Sequence, residues 1–199
     1  SNLQPYSETI RDVPGWNYNA RYFDRYFLNG MSEADWIAEV KHVQKTITPE
    51  LVAKAINRMP APIVALSGVE LQKSLNGRVR NLEPLAMEYY QFLAETVEIP
   101  ASDKKEQFEL RYQPDGVIAL TIRNIKKDGT IGRKLYERNF GPRFTKEIRL
   151  YGFGGQDNFL VEGDAKSSIK VRMVGGAGID QFVVAPGFKN KKNTYLYDS

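Results

Sequence analysis

Two aspartates in glycine-rich turns are the residues of this sequence whose type and spacing could support chemistry. Asp157 ends the segment 152–157 and Asp180 ends the segment 175–180, so the two lie 23 residues apart. Carboxylates and turn carbonyls supply the oxygen ligands that calcium takes in proteins. On adjacent strands, ~5 Å apart, the two carboxylates would repel each other unless a cation or hydrogen-bond donors offset their charge. Two alternatives are therefore open: a shared calcium ion, or aspartates that accept amide hydrogens of their own turns.

The composition excludes most other kinds of site. The chain has no cysteine, which rules out thiol nucleophiles and thiolate metal centres, and its one histidine is His42. A Ser-His-Asp triad could form only around this residue, which lies off the apolar face of its predicted helix and is expected to be solvated. Scattered carboxylates such as Asp24, Glu147 and Asp164 have no paired spacing for acid–base catalysis. We therefore expect no catalytic site in this chain and no cofactor other than calcium.

The two aspartate turns belong to an internal repeat. Residues 149–161 align without a gap with residues 172–184. The identical pairs are Arg149/Arg172, Gly152/Gly175, Gly155/Gly178, Asp157/Asp180, Phe159/Phe182 and Val161/Val184. A fixed period of roughly 20–50 residues is typical of stacked coils. We therefore expect rungs at 147–161 and 170–184, paired in parallel with the phenylalanines stacked, and a further rung beginning near Tyr195.

The repeat copies resemble the calcium-binding RTX β-roll. Residues 175–180 match its Gly-Gly-x-Gly-x-Asp nonapeptide start, although the RTX turn recurs about every nine residues and this one recurs every 23. The ligands that the resemblance implies are Asp157 and Asp180, with carbonyls near Gly154, Gly155, Gly176 and Gly178. One aspartate per coil is few for the roughly six to eight oxygens of a calcium ion. We accordingly expect no calcium-specific stabilisation.

Helical patterns fill the first half of the chain. The segment 22–28 predicts a short helix whose Phe23 and Phe27 share one face and plug a core. Ser32 begins an amphipathic helix, and Thr48-Pro49 begins another. The capping-box pattern Ser67-Gly-Val-Glu70 predicts the start of one long helix that reaches Val97, with a bend at Pro84. The apolar stripes predict that Leu75 and Leu93 are buried against Val40, Val43 and Leu51.

A change of period marks the second half as β structure. Strands are predicted at 108–112, 117–125 and 134–140, joined by turns at Pro114-Asp-Gly and Lys127-Asp-Gly. These three strands form an antiparallel meander. The expected fold class is α+β, with an N-terminal helical subdomain containing one long helix and a C-terminal β meander followed by a short parallel β-roll of 23-residue rungs. The expected bounds are an irregular lead at 1–13, the helical subdomain at 14–99 and the β subdomain at 104–199.

Charge and hydropathy limit the partners. The net charge is +4 at pH 7, and basic residues alternate with apolar ones, as in Lys170-Val-Arg-Met, which is typical of a strand surface. We therefore expect no nucleic-acid binding. No apolar run approaches the ~18–20 residues of a transmembrane helix, so we expect no direct membrane insertion by this segment. The sequence leaves the oligomeric state open.

Segments spread over nearly the whole chain resemble the middle part of large bacterial proteins, notably of the Bacteroidetes. They are Tyr-Phe-Asp-Arg-Tyr-Phe-Leu-Asn at 22–29, Asp-Trp at 35–36, Leu-Ser-Gly at 66–68, Tyr-Tyr-Gln-Phe-Leu-Ala at 89–94 and Lys-Glu-Ile-Arg-Leu-Tyr-Gly at 146–152. In those proteins the segment lies between an N-terminal metallophosphoesterase or kinase-like domain and a C-terminal D15-type outer-membrane surface-antigen barrel. No catalytic residue is carried over from the resemblance.

The resemblance implies a multidomain fragment that acts as a non-catalytic spacer or scaffold. It would position the enzymatic domain relative to the barrel, in the periplasm or on the cell-surface side of the outer membrane. Its partners would be the neighbouring domains of the same chain. Two alternatives remain: a module that binds glycan or protein through a calcium-stabilised β-roll, and an accessory part of a phosphohydrolase active site.

Overall fold

The computed structural model describes residues 6–198 and confirms the mixed α+β class. The first five residues of the expected irregular lead lie outside this range. The described chain divides into two compact units, one of residues 6–21 and 31–92 and the other of residues 22–30 and 93–198. The first unit is helical, and the second contains the strands.

The bounds of the elements follow in chain order. The helices are α1 (Val13–Trp16), α2 (Arg21–Phe27), α3 (Glu33–Thr46), α4 (Pro49–Ile56), α5 (Ala61–Arg80) and α6 (Leu82–Ala94). The strands are β1 (Thr96–Pro100), β2 (Glu106–Tyr112), β3 (Ile118–Ile125), β4 (Ile131–Phe140), β5 (Glu147–Tyr151), β6 (Gly154–Gly155), β7 (Asn158–Glu162), β8 (Lys170–Val174), β9 (Ala177–Gly178), β10 (Gln181–Val184) and β11 (Thr194–Tyr197). Within the described range, no helix combines the length and the apolar character of a transmembrane segment.

Two helices begin at the predicted caps. Ser32 and Asp35 form a reciprocal capping box at the start of α3. Thr48 accepts the amide hydrogen of Leu51 at the start of α4, where Pro49 occupies the first turn. These caps depend only on residues adjacent in sequence, which is why local pattern is enough to locate them.

The predicted long helix is wrong in its start and its continuity. Helix α5 begins after Pro60 and runs through Ser67, so the expected capping box there does not form. It ends at Arg80, and Pro84 lies in the first turn of α6, where the missing amide hydrogen of proline is not needed. Residues 96–99, expected to be helical, form most of strand β1, so the helical structure ends at Ala94.

The predicted helix packing is also partly wrong. The residues that α5 buries are small, namely Gly68, Ser74 and Gly77, rather than its leucines. Leu75 is half-buried and Leu51 is 48% exposed, whereas Val40 and Leu93 are buried as expected. The aromatic plug is contradicted as well, since Phe23 and Phe27 are 65% and 62% exposed and contact each other with ring centroids 4.4 Å apart.

The sheets combine an antiparallel meander with parallel ladders. Strands β2, β3 and β4 pair antiparallel in chain order, as predicted. Strand β5 pairs in parallel with β8, and β7 with β10, each in the register of the predicted repeat, and the expected neighbours Glu147–Lys170 and Phe159–Phe182 are present. Strand β11 continues the first ladder, with Tyr195 opposite Arg172. The two short strands β6 and β9 also pair in parallel. In the sequence, β6 lies between β5 and β7, and β9 lies between β8 and β10.

The ladders contain an additional rung, formed by β1 and β2, which the 23-residue period does not reveal. Strand β1 pairs in parallel with β5, so that Thr96 lies opposite Glu147. Strand β2 pairs in parallel with β7 at the same shift, with Phe108 opposite Phe159. The hairpin of β3 and β4 lies between β2 and β5 in the sequence. The separation between paired residues of the first two rungs is therefore more than twice the regular period. A search for a constant period cannot detect a copy that is displaced in this way.

Equivalent side chains of successive rungs stack in columns that form part of the core of the second unit. The rings of Phe108 and Phe159 have centroids 4.3 Å apart, and those of Phe159 and Phe182 are 4.9 Å apart, with interplanar angles of 13° and 10°. Two aliphatic columns are formed by Val97, Ile148 and Val171 and by Ile99, Leu150 and Met173. Because strand residues alternate between faces, the residues between these are left on the outer face.

Candidate functional site

The parallel ladders bring three carboxylates together at the corner where β2, β7 and β10 begin. Gln107, Asn158 and Gln181 are opposite one another, so the preceding residues Glu106, Asp157 and Asp180 are also neighbours. Glu106 and Asp157 are 2% and 0% exposed. The sequence placed the two aspartates together. It missed Glu106 because that residue is a glutamate and lies outside the regular period.

Each aspartate accepts an amide hydrogen from the preceding rung. The amide of Glu106 donates to Oδ1 of Asp157 over 2.8 Å, and the amide of Asp157 donates to Oδ1 of Asp180, also over 2.8 Å. The carboxylates therefore pair with backbone donors, one of the two alternatives, but with those of the adjacent rung rather than of their own turns. Each such bond ties one rung to the next at a point where the strands turn.

The second oxygen of each carboxylate is buried without a protein hydrogen bond. Among the described residues, Oε2 of Glu106 and Oδ2 of both Asp157 and Asp180 have no partner. Burial raises the pKa of Asp157 to about 7, and the like charges of Glu106 and Asp180 also raise it. The hydrogen bond from the amide of Glu106 acts in the opposite direction. Burial also raises the pKa of Glu106, although the hydroxyl of Ser102 donates to its Oε1.

The repeated glycines Gly152 and Gly175 make room for these carboxylates. A Cβ on Gly152 would overlap Oδ2 of Asp157 and lie 2.5 Å from the carbonyl oxygen of Gly175. A Cβ on Gly175 would overlap Oδ2 of Asp180. Neither glycine has a positive φ. The close approach of the carboxylate therefore explains why both copies have glycine at this position.

The other predicted calcium ligands lie in the short ladder of β6 and β9. Gly154 is opposite Ala177 and Gly155 is opposite Gly178, while Gly176 directly precedes β9. The carbonyl oxygen of Gly155 is so close to Cα of Gly178 that a Cβ there would overlap it. This carbonyl is thus directed at the backbone of the next rung. In the described part of the chain, no group of three or more His, Asp or Glu side chains has the geometry to hold a metal ion.

Charged side chains on the outer face also link the rungs. Arg149 contacts Glu98 at 2.9 Å and Glu147 at 2.8 Å, and Arg172 contacts the same oxygen of Glu147 at 2.7 Å. Although burial opposes its ionisation, the hydrogen bonds from the two arginines lower the pKa of Glu147. Glu147, one of the scattered carboxylates, therefore bridges two arginines that would otherwise repel each other.

The remaining residues considered for chemistry are not brought together. The side chain of His42 is exposed on α3, and Asp24 lies on α2. Asp164 is exposed and contacts Lys189 at 3.4 Å. The arrangement that the fold does assemble is the column of Glu106, Asp157 and Asp180, whose chemistry is proton binding and backbone hydrogen bonding.

The raised pKa of Asp157 predicts a dependence of stability on pH. An unfolded aspartate has a pKa of ~3.9, so between pH ~4 and ~7 the folded chain binds more protons than the unfolded chain. Stability should therefore fall as pH rises through this window, and Asp157→Asn should remove much of the loss. By urea unfolding, we expect the variant to be more stable than the parent by roughly 1–3 kcal/mol at pH 8.5 and to differ little at pH 5. Asp164→Asn, at an exposed site, is the control; equal pH slopes in parent and Asp157→Asn would contradict the prediction.

The close approach at Gly152 predicts a steric effect. Gly152→Ala should lower the free energy of unfolding by about 1–3 kcal/mol, because the methyl group meets a carboxylate and a backbone carbonyl. Gly141→Ala is the matched control, since a Cβ there would have nothing within 4 Å. Thermal or urea unfolding measures both. The explanation fails if the two variants are equally stable.

Comparison with protein-family models, with curated proteins and with solved structures finds no match to this chain. What the chain does must therefore be argued from the geometry described above.

Proposed function

We propose that this chain is a non-catalytic spacer or scaffold domain of a larger cell-envelope protein. In this proposal the parallel ladders form a short β-roll, in which each further rung adds one strand spacing, ~4.8 Å, to each ladder. The observation that carries the proposal is the column of Glu106, Asp157 and Asp180. Asp157 and Asp180 each accept the backbone amide hydrogen of the preceding rung, so the repeated aspartates serve the stacking itself.

The outer face supports the same function. Ion pairs link β1 to β5 through Glu98 and Arg149 and link β5 to β8 through Glu147 and Arg172. In the core, the stacked phenylalanines and the aliphatic columns also link neighbouring rungs. A coil whose neighbours are joined on both faces is resistant to bending and to slippage of register, which is what a spacer requires.

The apolar end of the ladders supports an association with a neighbouring domain. Leu196 and Val184 are 45% and 38% exposed, whereas their counterparts Met173 and Val161 are buried. We propose that this end contacts the neighbouring domains of the same chain. By the resemblance stated above, these would be a metallophosphoesterase or kinase-like domain and an outer-membrane barrel, on the periplasmic or cell-surface side of the outer membrane.

A spacer predicts that rungs are modular. Duplicating residues 170–192 after Lys192 should preserve folding and lengthen the ladder by about 4.8 Å. The chain has no cysteine, so cysteines introduced by Glu98→Cys and Tyr195→Cys can carry the only two spin labels. Both positions lie in one outer column, and pulsed electron paramagnetic resonance measures the distance between the labels.

The control replaces the duplicated rung by an insertion of the same length made of glycine and serine. It should leave the distance between the labels unchanged or broadly distributed, because it carries no strands to pair. A duplicated rung that unfolds the unit, or that leaves the distance equal to that of the parent, would contradict the spacer.

The second candidate is a binding module with a calcium-stabilised roll. It is favoured by the buried oxygens of Asp157 and Asp180 that lack a protein partner. An ion shared by the aspartates would stabilise the fold by ~2.7 kcal/mol at a hundredfold excess over Kd. Extracellular calcium sites have Kd values near ~0.1–1 mM, so a titration to tens of millimolar is sufficient.

We expect the melting temperature to respond equally to calcium and to magnesium, because Oδ1 of each aspartate is already hydrogen bonded to an amide. The measurement is thermal unfolding with each ion, at equal ionic strength, for the parent and for Asp180→Ala. A rise specific to calcium that disappears in Asp180→Ala would put the binding module ahead of the spacer.

A further inference from the structure

A pocket of about 520 Å³ lies in the second unit beside the first carboxylate of the column. Its walls come from α2 and from β1 to β4, with the loop between β1 and β2. This volume lies within the range of roughly 300–1,000 Å³ that is typical of small-molecule sites. The pocket is therefore large enough for a ligand the size of one or two sugar rings.

Two buried acceptors border this pocket. Oε2 of Glu106 and Oδ1 of Asn124 are inaccessible to solvent and lack a hydrogen-bond partner in the part of the chain that the structure describes. The other oxygen of Glu106 accepts from the hydroxyl of Ser102. Because buried acceptors without donors are unfavourable, a ligand that brings hydroxyl or amine hydrogens is preferred here.

The rim of the pocket has the opposite character. The side chains of Lys104 and Arg133 are exposed and add two positive charges beside the one carboxylate of Glu106. Burial raises the pKa of that carboxyl, against the hydrogen bond from Ser102 and the charge of Lys104. The rim therefore favours an anionic group, and the guanidinium of Arg133 suits a carboxylate in particular, since it can donate two parallel hydrogen bonds.

Apolar surface lies between the two polar ends. The ring of Tyr26 is 57% exposed, and Leu135 is 43% exposed, and both line the pocket. Tyr136 lines it as well, with its hydroxyl already donated to the carbonyl oxygen of Asn29. Aromatic rings with open faces provide a rigid apolar platform for the C–H face of a sugar ring.

We propose that this pocket binds an acidic sugar of the hexuronate class. Its ring packs on Tyr26 and its carboxylate pairs with Lys104 and Arg133. Its hydroxyls donate to Glu106 and Asn124 after side-chain rotations that open these two buried oxygens to the pocket. The site forms where the glutamate of the first rung replaces the aspartate of the later ones. This glutamate forms part of the pocket wall. This binding site is additional to the spacer function and does not depend on it.

The test is titration with sodium D-glucuronate, followed by chemical-shift changes of the amide resonances. D-glucose is the neutral comparison, and L-alanine tests a zwitterion that also has donors and a carboxylate. We expect glucuronate to bind at least about tenfold more tightly than glucose or alanine. Arg133→Ala should weaken glucuronate binding about tenfold and leave glucose binding unchanged, since only the carboxylate contact is lost.

Glu106→Gln should weaken both sugars, and Glu137→Gln, at an exposed glutamate on β4 outside the pocket, should weaken neither. If Glu106→Gln fails to fold, the exposed rim variants Arg133→Ala and Lys104→Ala decide the question. Three results would overturn the proposal: no glucuronate binding up to roughly 50 mM, affinity for glucuronate equal to that for glucose, or tighter binding of alanine. Unchanged glucuronate binding in both rim variants would also overturn it.

Discussion

The amide-to-carboxylate bonds at the corner of the rungs are the interaction on which the second unit depends. At this corner the chain leaves one parallel ladder and enters another, and the amides of Glu106 and Asp157 donate to side-chain carboxylates instead of backbone carbonyls. Without those carboxylates each amide would be a buried donor without an acceptor, which folded proteins rarely tolerate. The aspartate of the next rung supplies that acceptor, and Gly152 leaves the space in which its second oxygen fits. Both regular copies accordingly have a glycine directly after the preceding strand, Gly152 after β5 and Gly175 after β8.

Stacking identical residues in register creates a general problem of like charges. On the outer face, Arg149 lies opposite Arg172, and Glu147 relieves the repulsion by contacting both guanidinium groups. In the interior, Asp157 lies next to Asp180, and within the described column no cationic side chain offsets their negative charge. The relief there is a raised pKa, which favours a proton on Asp157 near neutral pH. The same repeat thus uses a salt bridge where water is accessible and proton binding where it is not.

The irregular part of the repeat is also where the pocket forms. The hairpin of β3 and β4 interrupts the regular period and contributes Asn124 and Arg133 to the pocket walls. Glu106 replaces aspartate in the one rung that borders this hairpin. Strand β2 of the first rung pairs with β3 of this hairpin as well as with β7, so this rung is bordered by side chains that the repeat does not supply. We therefore propose that the regular rungs serve stacking and that the first rung serves recognition.

Features that depend on neighbours in sequence could be read directly from the chain. The caps at Ser32 and Thr48 follow from local hydrogen bonding, and the parallel register of β5 with β8 follows from a period visible in the residues themselves. Only the tertiary structure decided that Phe23 is exposed, because a single aromatic face does not specify whether another element covers it. It also decided that Glu106 joins the aspartates, since the pairing of β2 with β7 depends on how the intervening hairpin folds away from the ladder. A period in the sequence shows only copies that are separated by a constant number of residues. The first rung does not follow that period, so only the pairing of strands in the tertiary structure places it beside the others.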